Sequence, residues 1–202
     1  MPERVLPYDR AIVPQETGYW CGPASAQVVL DSRGIRVAES VLAREIGTTW
    51  NGTDFIGLIE RVLDVRVPQA QYTSVNMPDD PPTASQKERL WEHIVSSVNA
   101  GWGVITNIVA PVGNQPRAVA PSTISPNYGR STVWHYFTVM GYSDDGPRRV
   151  WIADSGFAPY GYWLSYDQLA TLIPPKGYAY AAAARPETGL WDEIAGQFMG
   201  PK

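Results

Sequence analysis

The chain has 202 residues, enough for one domain with a full core and short for two. With 44% hydrophobic and 18% charged residues it has the composition of a folded domain and not of a polar disordered tail. A net charge of −4 argues against nucleic-acid binding or the coating of anionic membranes, and 18 Gly with 18 Pro argue against an all-helical bundle.

In chain order, residues 1–13 read as a lead-in with one short strand, and a loop, Pro14 to Trp20, delivers Cys21 to a helix start. Pro23 suits the first helical turn, where its missing N–H costs nothing. Ala24, Val28 and Leu30 then recur at helical spacing, with Gly34 as terminator. A second helix is predicted over Val37–Ile46, stopped by Gly47. A third takes Asp54 as N-cap and sends Ile56, Leu58, Ile59, Val62 and Leu63 to the core. Tyr72–Ala84, broken by Pro78, Pro81 and Pro82, reads as loop. A fourth helix follows over Ser85–Asn99.

The second half changes character. Val104–Val109 is a β-branched strand, and Ala110–Ser131 a long polar loop rich in Pro and Ser. Trp134–Tyr142 and Arg149–Asp154 read as two strands about a turn holding Asp145-Gly146. Tyr162–Ser165 and Tyr178–Ala183 are further strands, with a short helix at Tyr166–Leu172 between them. The fold class is therefore α+β, N-terminal helices packed on a C-terminal antiparallel sheet, with residues 1–184 as the domain. Residues 185–202 read as a docked tail or a linker towards further domains. The charged, Pro-broken start has no signal-peptide core, and no run approaches the ~20 apolar residues of a membrane span.

Cys21 is the one cysteine, so an intramolecular disulfide and a Cys-based zinc cluster are excluded, and the two histidines cannot make a His-rich metal site. No metal or organic cofactor is implied. A thiol becomes a useful nucleophile as thiolate, and a helix N-terminus lowers its pKa with unpaired N–H groups and the positive end of the dipole. Cys21 stands where that effect acts, and Gly22 leaves room for a substrate carbonyl. His135 is the candidate proton carrier. Strand alternation puts His135, Phe137 and Val139 on one face, and Val150, Ile152 and Asp154 on one face of the partner strand. A hairpin about Asp145-Gly146 sets Phe137 opposite Asp154, with His135 diagonal to it on the same face. His93 reads as a helix-packing residue. Gln15, six residues before Cys21, can aim its amide at a developing oxyanion together with the Cys21 N–H.

The strings VPQETGYWCGPASAQVVL, WHYFTVMGY and VWIADSG together resemble a papain-like cysteine peptidase of the double-glycine (bacteriocin-processing) leader peptidase branch. The resemblance runs over about Val13 to Ile173, and within the branch it lies nearest the N-terminal peptidase modules of mycobacteriophage lysin A endolysins. It implies a papain-like fold and the order Gln15, Cys21, His135, Asp154 for oxyanion donor, nucleophile, base and orienting carboxylate. It also implies a peptidoglycan stem or cross-bridge peptide as substrate and further lysin domains downstream. The setting it implies is the host bacterial cytoplasm, with the wall reached at lysis. Neither nucleic acid nor membrane is an expected partner. Tyr19, Trp20 and Trp134 flank the proposed nucleophile and base, and Trp20, Trp134 and Gly22 are the candidate substrate-binding residues. Two other readings share the scaffold: a non-catalytic peptide- or wall-binding module, and a cysteine acyl or peptidyl transferase, since an amine resolves a thioester as readily as water does.

Overall fold

The β-branched run Val104–Ala110 lies at the middle of the molecule as β3, its side chains buried on both faces at all but one position. The computed structural model describes residues 3–184, and the expected tail at 185–202 lies outside the described residues. Around β3 stand β1 (Arg4–Val5), β2 (Tyr72–Asn76), β4 (Val133–Ser143), β5 (Arg149–Ala153), β6 (Gly161–Ser165) and β7 (Gly177–Ala181). They form a seven-stranded sheet in the order β2-β7-β3-β4-β5-β6, with β1 added to β4. Every pairing is antiparallel.

Helices cover both faces. On one side α1 (Cys21–Asp31), α2 (Glu39–Ile46) and α3 (Ile56–Arg66) pack Val29, Leu42, Ile59 and Leu63 against Ile105 and Tyr136. On the other, α4 (Ala84–Asn99) and α5 (Tyr166–Leu172) bring Leu90, Ile94 and Leu169 against Ile108, Phe137 and Val139. This is the expected α+β class. No helix among the described residues is long and apolar enough to cross a membrane.

Local chemistry explains most boundaries. Gly47 ends α2 in the left-handed region, φ 78°, where a side chain would be strained. Thr83 and Gln86 close a reciprocal capping box at the start of α4. Two expectations need correction. Phe55, not Asp54, takes the N-cap position of α3, in extended conformation and with no side-chain cap. Tyr72–Asn76, read as loop, is the edge strand β2, paired along its whole length with β7. The prolines that follow it end the strand and do not prevent it.

The β4–β5 hairpin carries the site. At its open end Thr138 faces Ala153 and Val139 faces Ile152, the register expected from the Asp-Gly turn. A bulge between Val139 and Gly141 then shifts the pairing by one residue towards the turn, where Ser143 faces Arg149. Asp154 follows directly on the last paired residue of β5 and lies fully buried beneath β4.

Candidate active site

Cys21 is the first residue of α1, half-buried at its surface. Trp20, the N-cap, offers no side-chain hydrogen bond, so the helix end keeps its free N–H groups for whatever approaches it. Burial works against the thiolate. A hydrogen bond and charge from His135, with the backbone N–H groups of Tyr136 and Gly22, outweigh it and hold the Cys21 pKa below its ordinary value.

His135 lies near the start of β4, 4% exposed. Its Nε2 meets Asp154 Oδ1 at 2.9 Å, which leaves Nδ1 for Cys21. Burial disfavours the imidazolium, yet the Asp154 charge and hydrogen bond and the Cys21 thiolate raise its pKa above the usual imidazole range. The ring is boxed edge-on by Phe157, Tyr128 and Phe137 at centroid distances of 5.4, 6.0 and 6.3 Å.

Asp154 accepts three further hydrogen bonds. Gly156 N–H reaches Oδ1 at 3.1 Å, and the hydroxyls of Tyr128 and Tyr162 reach Oδ2 at 2.8 and 2.9 Å. Both carboxylate oxygens of this buried side chain are thereby supplied with donors.

Gln15 is tied to the residue after Asp154. Its backbone N–H donates to Ser155 O at 2.9 Å, and Ser155 Oγ donates to Gln15 Oε1 at 3.0 Å. Its Nε2 donates to Thr17 O at 2.6 Å, which uses one of two amide protons. Gly156 shows how close these groups stand: a Cβ there would lie 2.8 Å from His135 Cε1 and 3.5 Å from Gln15 Oε1. The fold therefore brings Gln15, Cys21, His135 and Asp154 into one cluster.

The other candidates divide. Trp20 is half-buried at the helix start, its ring edge-on to Tyr19. Trp134 is 65% exposed and projects from the face of β4 opposite His135, the alternation separating the two side chains. Gly22 is buried, and a Cβ there would strike Thr53 Oγ1 and Ile59. Packing against the lead into α3 therefore requires a glycine at this position. His93 lies outside the cluster, stacked on Tyr180 at 3.6 Å and bonded to the Tyr178 hydroxyl, a packing role between α4 and β7.

Tyr128, Tyr162, Ser155 and Gly156 escaped the sequence reading. Ser155 and Gly156 adjoin Asp154, so adjacency was a usable signal for these two, and Tyr162 stands in the strand that pairs with the one before Asp154. Tyr128 sits in an irregular segment with no local sign of its partner.

A model of the Peptidase_C39 like family matches residues 8–172, a span that includes the whole cluster. Over 51 residues the chain is 45% identical to an uncharacterized protein of Methanothermobacter marburgensis, a stretch covering 25% of this chain. That match spans 36% of the relative's own length.

Proposed function

This chain belongs to the C39-like peptidase family, and we propose that it hydrolyses peptide bonds through a cysteine thioester. The observation that carries the reading is the line from Cys21 through His135 to a buried Asp154, with the imidazole held at 2.9 Å from the carboxylate. Cys21 attacks the scissile carbonyl as thiolate, and the oxyanion that forms is met by the Cys21 N–H and the second amide proton of Gln15. His135 gives its proton to the leaving amine. It then takes one from water as the hydroxide adds to the thioester, and the acid departs as the thiolate–imidazolium pair is restored. Asp154 keeps Nε2 occupied, so that Nδ1 faces the sulfur throughout.

The substrate we assign is a peptidoglycan stem or cross-bridge peptide, cleaved in a phage lysin setting. Support comes from the resemblance over the Gln15–Cys21, His135 and Asp154 strings. Exposed aromatic side chains near the helix start, Tyr19 at 40%, Trp50 at 78% and Phe55 at 57%, also suit an unusual peptide. The test is release of new amino groups from purified peptidoglycan fragments by wild type and Cys21→Ala. Release by wild type alone is expected. Equal release by both proteins contradicts the mechanism, and binding without turnover by wild type returns the chain to the wall-binding reading. An added amine acceptor distinguishes transfer from hydrolysis in the same assay.

A further inference from the structure

An imidazole needs one carboxylate oxygen to orient it, and Asp154 Oδ1 serves that purpose. Oδ2 faces away, fully buried, and receives two tyrosine hydroxyls from parts of the chain that are far apart in sequence. Tyr162 comes from β6, beside the strand that carries Asp154. Tyr128 comes from the irregular segment between β3 and β4, and this segment is fastened down. Val119 N–H donates to Trp163 O at 2.8 Å, Trp163 N–H to Ser122 Oγ at 2.9 Å, and Gln168 Nε2 to Gln115 O at 2.8 Å. The Tyr128 ring stacks on Phe157 at 3.9 Å and closes the box around His135. Burial and the neighbouring Asp154 charge push both tyrosines well above the usual phenol range, so both remain donors wherever the protein folds.

We propose that Tyr128 and Tyr162 are positioning residues for the peptidase reaction, their paired hydroxyls holding the Asp154 carboxylate aimed at His135. The segment at 111–132 then acts as the back wall of the catalytic pair, delivering one of the two donors. This inference rests on the peptidase reading above. Its chemistry has a distinctive pH signature. With both hydroxyls removed, Oδ2 is buried without a donor, and nothing then holds the carboxylate turned towards His135. A displaced carboxylate supports the His135 imidazolium less, and through it the Cys21 thiolate, so the defect is deepest on the acid side of the profile.

The experiment compares wild type with Tyr128→Phe, Tyr162→Phe and the double variant. The rate of Cys21 alkylation by iodoacetamide is read across pH, beside kcat and KM on any peptide that wild type cleaves. Phenylalanine keeps the ring packing. In the double variant the acid limb of alkylation moves up by about one pH unit, a loss of roughly tenfold on that limb that fades where the wild-type thiol is fully ionised. On substrate, kcat falls and KM holds. Profiles that superimpose on wild type, or fall by one factor at every pH, overturn the assignment. Should the double variant lose its near-UV circular dichroism, the single variants decide on the same criterion. Alkylation needs no peptide, so a failure of the peptidase reading leaves this test standing and distinguishable.

Discussion

Gly156→Ala places the catalytic geometry under direct strain. The residue lies outside the left-handed region, so alanine fits its backbone, but the new methyl would stand 2.8 Å from His135 Cε1 and 3.3 Å from Nε2. Ordinary carbon–carbon contact begins near 3.5 Å, so the ring must withdraw by about 0.7 Å. It has nowhere to go without displacing Phe157, Tyr128 or Phe137, which box it edge-on. Displacement therefore falls on the 2.9 Å contact to Asp154 and on the approach to Cys21. A misplacement on the order of 1 Å costs roughly 100-fold in rate. Overpacking costs about 1–3 kcal/mol in stability, which at about 2–4 °C per kcal/mol lowers Tm without unfolding the protein. Steady-state kcat/KM and thermal denaturation measure the two effects separately. Gly113→Ala is the control, since a Cβ there meets nothing within 4 Å. Gly156→Ala with kcat/KM within twofold of wild type refutes the crowding argument.

Activity should form a bell in pH, because it needs Cys21 deprotonated and His135 protonated together. Cys21 is held below the usual thiol value and His135 is pushed up to about 10. The acid limb of kcat/KM thus lies below the ordinary thiol pKa, and the alkaline limb lies far above the ordinary imidazole value. The stability that the raised His135 contributes is complete below its unfolded pKa and disappears as pH climbs towards 10. Glu39 is another buried group whose pKa is raised. It is 1% exposed, accepts the Glu16 N–H at 3.0 Å through Oε2, leaves Oε1 unpartnered, and is raised by burial to about 7. Folding thus favours its protonated form, and that contribution is complete below the ordinary carboxylate value and lost as pH rises through 7. Glu39→Gln should melt higher than wild type at pH 8 and equally with it at pH 4, read by thermal scans; identical shifts at both values would exclude titration. Gly22→Ala, which drives a methyl into Thr53 Oγ1, should lose about 1–3 kcal/mol by urea denaturation, and Thr53→Ala on the same background should recover part of it.

Residues whose roles are set by neighbours along the chain were legible before the structure. Cys21 at a Gly-Pro helix start, and His135 and Asp154 on faces of matched parity, needed only periodicity and a turn. The register survived an unforeseen bulge because the bulge lies between the turn and the site, and the turn is centred slightly differently, so the two departures cancel at Thr138 and Ala153. Features set by distant partners were not legible. Tyr72–Asn76 becomes a strand because Gly177–Ala181 is there to receive it, and an edge strand of mixed burial has no clean alternation to announce it. Tyr128 looks like any loop tyrosine until the segment around it is seen fastened to β6 and α5. Arg148 and Arg149, next to the hairpin turn, lie over Trp91 and Trp163 and pair with Glu88 and Glu3, partners that are distant in the chain. Gly22 carries a constraint that the sequence did not show: a Cβ there would run into Thr53, a neighbour 31 positions on.

The central claim is a Cys21 thiolate maintained by His135. It is tested most directly by the pH dependence of iodoacetamide alkylation of Cys21 in wild type and in His135→Ala. The account predicts fast alkylation of wild type at pH values below the ordinary thiol range and a shift in the variant towards the free-thiol value of about 8.5. Wild type and variant reacting alike, and only above that range, would contradict it.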